Sequence, residues 1–225
     1  CEQRIEEEGK LSWEELHRQL EENFEGEGGE RIRQLLLHSD RYCGGETRGD
    51  DWAEKISRLY TALVRDLNRQ HPGIQFIPGF FSWSNTIGLG STVGATPNGR
   101  KKGEPINHGA NPNGGFRKDG AVSAMCNSIG RIQPGYGNCA PVQLELDPGI
   151  AADSEGIAKM ADMIKTILST GNTLLNINIM DAGKILEADK DPFKYPDLVV
   201  RVTGFTAFFA MLSPQFRKLV VDRVK

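Results

Sequence analysis

The sequence lacks the marks by which several function classes announce themselves. It has no basic excess: 27 Lys and Arg stand against 30 Asp and Glu, a net charge of −3. That argues against nucleic-acid binding, since such domains carry surplus cations. No apolar run approaches the ~18–20 residues of a membrane span. The four cysteines, Cys1, Cys43, Cys126 and Cys139, form no CxxC pair, which argues against a disulfide scaffold or a zinc ribbon. His17, His38, His71 and His108 make no HxxxH or HExxH, so no helical metal site is legible, and no bound metal or cofactor is expected. There is no internal repeat and no low-complexity tract. The chain begins with Cys1 rather than Met and shows no signal-like segment, so it reads as a piece of a longer protein. What is present is a soluble globular composition, 38% hydrophobic and 25% charged, with 26 glycines unevenly placed.

The first 70 residues read as helical. Ser12 is an N-cap with Glu15 completing a capping box, and Leu11 and Leu16 occupy staple positions. Trp13, Leu16, Leu20 and Phe24 share a face, and the turn Gly26 to Gly29 ends that helix. A short helix follows with Ile32, Leu35 and Leu36. From Asp51 a long amphipathic helix carries Trp52, Ile56, Leu59, Leu63 and Leu67, ending before Pro72 and Gly73. Residues 74–120 are short on helix and rich in Gly, Pro and Asn. Ile74 to Ile77 reads as a strand, and Phe76, Phe80, Phe81, Trp83 and Phe116 call for burial. From 121 strands and helices resume: a strand at Val142 to Leu146 and a helix at Gly156 to Thr170 with Ile157, Met160, Ile164, Ile167 and Leu168 inward, capped by Asp153 or Ser154. A strand at Leu174 to Met180 follows, then a helix capped by Asp181 and a buried strand at Leu198 to Val202. The last helix opens on Ser213 and Pro214 and runs through Arg223.

Three stretches invite a chemical reading. Gly94 to Lys101 has the glycine spacing of a phosphate loop. It carries Arg100 where Lys is required and Lys101 where Ser or Thr is required, and Pro97 removes an N–H donor. The plainer reading is a chain of turns with Arg100 as a structural hub. Gly88 and Gly90 lack the third glycine of a dinucleotide fingerprint, since position 93 is Val93. Asn176 and Asn178 share one strand face, where a structural amide ladder is favoured over substrate contact. The sharpest stretch is Arg201, Val202, Thr203, Gly204, Phe205, Thr206, Ala207, Phe208 and Phe209. Taken alone, a glycine after a buried strand is a turn or a close-approach site.

RVTGFTAFF, however, resembles the signature of the glycyl radical enzymes, the pyruvate formate-lyase-like family. Upstream, the run Gly94 to Pro105 is similar to that family's GxTPDGRxxGxP segment, with Asn98 where Asp is usual. The stretches Asn176 to Met180, Asp191 to Pro196 and Asp197 to Val200 resemble the approach to the radical loop, and 14–68 resembles the preceding region more loosely. The resemblance implies an α/β chain: residues 1–120 as the end of a ten-stranded α/β barrel domain, and 121–225 as a glycine-radical domain whose loop enters the barrel. It implies Gly204 as the catalytic radical carrier, with Arg201, Val202, Thr203, Phe205, Thr206 and Phe208 as its loop motif. Val199, Val200, Val202, Phe205, Phe208 and Phe209 would wall the loop off. No cofactor would be bound. A radical S-adenosylmethionine activase would install the radical, and a cysteine thiyl would then attack a small-molecule substrate to cleave a C–C or C–X bond. None of the four cysteines has that cysteine's Gly-Cys-x-Glu context, so an upstream part of the same enzyme is an expected partner. A homodimer, a cytoplasmic location and the absence of nucleic-acid and membrane partners are also expected. The alternative is a stand-alone subunit that supplies a fresh glycyl radical to an oxygen-damaged enzyme.

Overall fold

The computed structural model describes residues 1–80, 84–107, 109–112, 122–134, 138–202 and 204–224. Phe81, Trp83, Phe116 and Thr203, among the residues singled out above, lie outside it. In chain order the elements are a π-helical segment Glu2–Glu7, then α1 (Trp13–Glu21), α2 (Gly29–Leu37), α3 (Arg48–Gln70), α4 (Thr86–Ser91), α5 (Val122–Arg131), β1 (Val142–Leu146), α6 (Ser154–Ser169), β2 (Leu175–Ile179), α7 (Ala182–Lys190), β3 (Val199–Arg201), β4 (Thr206–Phe208) and α8 (Pro214–Val224). None of the described helices is long and apolar enough to cross a membrane. Two compact units result, one of 1–41 with 85–107 and one of 42–84 with 108–225.

The first unit is built on a small apolar core of Leu11, Leu16, Phe24, Ile32 and Leu36. Ser12 caps α1 as expected, its hydroxyl accepting from the Glu15 amide at 3.0 Å, while Trp13 points to solvent. Buried Gln19 donates to the Glu27 carbonyl at 3.0 Å and so holds the turn between α1 and α2. Arg4 ties the π-helical segment to the end of α2, donating to Ser39 Oγ at 2.9 Å and to the His38 carbonyl at 2.6 Å.

In the second unit α3 starts earlier than its apolar pattern suggests, because Thr47 and Asp50 close a reciprocal capping box. Its apolar face differs from a core face. Ile56, Leu59 and Leu63 are each about three-fifths exposed, and the buried positions are Asp50, Ser57 and Thr61. The strand expected at Ile74 to Ile77 does not form. Instead the Asn68 side chain pairs with both the amide and the carbonyl of Phe76, at 2.7 and 3.0 Å, and this local alternative competes with a ladder. α5, within a stretch read only coarsely from the sequence, supplies Met125, Cys126 and Ile129 to a core completed by Val142, Leu144 and Ile167.

β1 and β2 pair in parallel, Val142 with Leu175 through Leu146 with Ile179, and α6 makes the crossover between them. Asp153 caps α6 and Asp181 caps α7. Only Ile167 of the expected inward set on α6 is fully buried; Ile157 and Leu168 are exposed. β3 and β4 form an antiparallel hairpin. A second core, with Ile185, Ala188, Val200, Val202, Phe209, Val220 and Val221, joins that hairpin to α7 and α8.

Candidate functional site

The period of two along a strand decides what surrounds Gly204. Val200 pairs with Ala207 on one face of the hairpin, while Val199 with Phe208 and Arg201 with Thr206 lie on the other. Val200, Val202 and Phe209 are fully buried. Val199 and Phe208 are each about half exposed, so the wall expected from six apolar residues is one-sided. Phe205 turns its ring edge-on to Phe216 of α8, with centroids 6.0 Å apart. The Val202 amide donates to the Phe205 carbonyl at 2.9 Å, closing the turn. Gly204 sits in that turn and is exposed. Arg201 Nη1 donates to Thr206 Oγ1 at 3.2 Å across the hairpin.

Beneath the turn lies a polar cluster that the sequence reading did not assemble. The parallel register places Gln143 beside Asn176 and Glu145 beside Asn178 on one sheet face. Asn178 Nδ2 donates to Glu145 Oε1 at 3.2 Å and to the Arg201 carbonyl at 3.3 Å. Gln143 Nε2 donates to the same Glu145 oxygen at 3.2 Å. Arg223, near the end of α8, donates to Glu145 Oε1 at 3.2 Å, to the Arg201 carbonyl at 2.8 Å, and to the Val202 carbonyl. The Glu145 and Arg223 side chains are 10% and 9% exposed. Burial pushes the Glu145 carboxyl up, against the pull of Arg223, Gln143 and Asn178. Burial pushes the Arg223 guanidinium down, against the pull of Glu145; an arginine nonetheless stays charged. Among the described residues Glu145 Oε2 and Arg201 Nε have no hydrogen-bond partner. The clue available in the sequence was the alternation of VQLEL and LNINI, which lines up its polar positions only when the two strands are laid side by side.

The expected amide ladder is not what Asn178 forms: its partners are a carboxylate and the strand leading to Gly204. The Gly94 to Lys101 loop belongs to the first unit and has the opposite polarity to a phosphate cradle. Buried Arg100 takes the carbonyls of Val93, Gly94, Lys101 and Glu104 at 2.6–3.2 Å, where a phosphate loop would offer N–H groups. Asn98 Oδ1 accepts from Thr96 Oγ1 at 2.6 Å and from the Arg100 amide at 3.3 Å. Asn98 thus holds this turn through an amide oxygen that accepts from it. Cys43 and Cys126 are buried core thiols, Cys139 is half-buried and Cys1 is exposed.

Comparison with known proteins gives the family. Residues 106–210 match the family model described as glycine radical, and residues 1–90 match the one described as pyruvate formate lyase-like. The chain belongs to the pyruvate formate-lyase-like glycyl radical family. It is 25% identical to the isethionate sulfite-lyase of Oleidesulfovibrio alaskensis over 97% of its own length and 26% of that protein's. The B12-independent glycerol dehydratase of Clostridium butyricum superposes with a TM-score of 0.80 at 27% identity, covering 98% of this chain and 28% of that one. A glycyl radical enzyme from Archaeoglobus fulgidus gives 0.75 at 30% identity, covering 92% and 26%. The chain thus spans about a quarter of the length of the relatives it matches, and corresponds to the C-terminal portion of such enzymes.

Proposed function

We propose that Gly204 is the radical-bearing residue of this chain and that the radical it stores serves bond cleavage in a small-molecule substrate. The observation that carries this reading is the placement of Gly204. It occupies an exposed turn whose entering strand and following segment are anchored by Val200, Val202 and Phe209 in a closed core. A radical activase can reach the turn, while the strands keep its backbone fixed. Glycine suits the role because, without a side chain, its Cα can flatten on loss of a hydrogen atom and share the unpaired electron with both adjoining peptide groups. On this reading Arg201, Val202, Phe205, Thr206 and Phe208 shape the loop, and Thr203 completes it.

In the forward direction the activase takes one hydrogen atom from Gly204 Cα. A cysteine thiol of the wider enzyme then returns a hydrogen atom to that carbon, and the resulting sulfur radical meets substrate. Cys43 and Cys126 are enclosed by the core around Met125, Ile129 and Val142, where no substrate reaches them. Exposed Cys1 and half-buried Cys139, like the other two, lack the Gly-Cys-x-Glu context, and the reading assigns the relay to a cysteine outside this chain. Residues 1–120 would be the end of a ten-stranded barrel domain and 121–225 the glycine-radical domain. The test is anaerobic activation followed by electron paramagnetic resonance. The expected result is a carbon-centred doublet from the protein that Gly204→Ala abolishes, and cleavage of the chain at Gly204 on exposure to oxygen. A doublet that survives Gly204→Ala refutes the assignment.

A further inference from the structure

We propose that Arg223 is a positioning residue for the Gly204 turn: locked by Glu145, its guanidinium clamps the two carbonyls that precede the turn. This rests on the reading of Gly204 given above.

The argument is geometric. Among the described residues, one backbone bond closes the turn at 202–205, from the Val202 amide to the Phe205 carbonyl. The strand entering it is three residues long, and β4 is its only strand partner among the described residues. Such a short two-stranded ribbon is marginal on its own. Among the described residues, the other side chain that donates to these carbonyls is Asn178, which reaches the part-buried carbonyl of Arg201 and not that of Val202. Arg223 supplies donors to both from one planar group, whose fork fixes their spacing as a flexible ammonium would not. Glu145 in turn fixes that group. It is the carboxylate within reach of the guanidinium, and its Oε1 also receives Gln143 and Asn178. β1, β2 and α8 therefore converge on the backbone just before Gly204. The hydrophobic core fixes where the hairpin sits, and this cluster fixes the orientation of the peptide planes that lead into the turn. The bonds from Arg223 to the two carbonyls are among the contacts that must break if the turn is to swing away from α8, together with the packing of Phe205 on Phe216.

The test compares wild-type protein with Arg223→Gln, Arg223→Lys and Glu145→Gln. Amide hydrogen exchange is followed before activation, and the glycyl doublet after it. Arg223→Gln is expected to speed exchange at Val199 to Phe209 about tenfold while α6 keeps its protection, and to alter the doublet's proton splitting, which reads the local geometry at the radical carbon. Arg223→Lys keeps the charge but loses the fork and should restore the protection only in part. Glu145→Gln should loosen the same segment less than Arg223→Gln. Unchanged exchange at 199–209 in a folded Arg223→Gln protein overturns the clamp. If Arg223→Gln does not fold, the Lys and Glu145→Gln variants decide, and unchanged exchange in both overturns it equally. Loosened exchange in a protein whose wild type gives no doublet upholds the clamp and rejects the radical reading; a wild-type doublet with unchanged exchange in the variants does the reverse.

Discussion

Cys43 lies at a backbone position with φ of +65°, in the left-handed region that side chains seldom adopt. It is held there by its amide, which donates to buried Asp50 at 2.7 Å. Burial pushes the Cys43 thiol up from its ordinary 9.0 to about 12, and Cys126 up to about 11. Both folded thiols resist ionisation more than unfolded ones do. The stability this represents is therefore complete below pH 9 and is lost as pH rises from 9 toward 11–12, because only the unfolded chain ionises there. Alkaline titration of thermal unfolding should show the midpoint falling across that window, and Cys126→Ser should reduce the slope. At pH 8 an alkylating reagent should label Cys1 within minutes and leave Cys43 and Cys126 unlabelled until denaturant is added. Rapid labelling of either in the folded protein contradicts the structure.

At the scale of single elements, the caps and short ion pairs make the testable statements. Asp50 serves two functions, closing the α3 capping box with Thr47 and anchoring the Cys43 amide. Asp50→Ala removes a cap and strands buried donors, and is expected to destabilise by about 2–4 kcal/mol in denaturant unfolding; Thr47→Ala, which costs the cap alone, should lose about 1 kcal/mol. Just after the π-helical segment, Lys10 and Arg4 hold the Glu8 carboxyl down from 4.5 to about 2. A depressed carboxyl stabilises above its unfolded value and loses that contribution as pH falls from 4.5 toward 2. Exchange at residues 1–10 should therefore accelerate over that acidic window before the rest of the first unit opens, and Glu8→Gln should remove the dependence. In the second unit, Arg223→Gln leaves Glu145 enclosed without its ion-pair partner; combining it with Glu145→Gln removes both members of the pair and should recover part of the protection that the single variant loses at 199–209, read in the same exchange measurement.

Across the whole molecule the apolar surface is unevenly distributed. The second unit has closed cores, yet the α3 stripe of Ile56, Leu59 and Leu63 stays open, as does the Val199 and Phe208 pair on the outer side of the hairpin. Contiguous apolar patches of this kind mark contact surfaces. Substituting an open position should be nearly neutral, within about 0.5 kcal/mol for Leu59→Gln, whereas Ile129→Ala in the core should cost about 2–5 kcal/mol. Leu59→Gln with Leu63→Gln should also lower the binding of a hydrophobic dye to the isolated chain. A loss of several kcal/mol from the α3 pair would mean that this face is covered in solution.

Local chemistry determined what the sequence revealed. Ser12, Asp153, Asp181 and Ser213 cap their helices because a side-chain oxygen reaches an amide two or three residues on, whatever the rest of the chain does. The parallel strands Val142 to Leu146 and Leu175 to Ile179 were legible from alternation, and RVTGFTAFF from its spelling. What needed the tertiary structure is non-local. Whether an apolar stripe is core or surface depends on what packs against it, so α3 and α6 were read as amphipathic without revealing that much of their apolar surface is open. Whether Asn68 serves a helix or caps Phe76 depends on a turn that periodicity does not describe. Above all, Glu145, Asn178, Arg201 and Arg223 are separated by 22–78 positions. Their meeting is decided by the parallel register of β1 on β2 and by the packing of α8 against the hairpin, because a buried charge and buried carbonyls must find partners within the fold that encloses them.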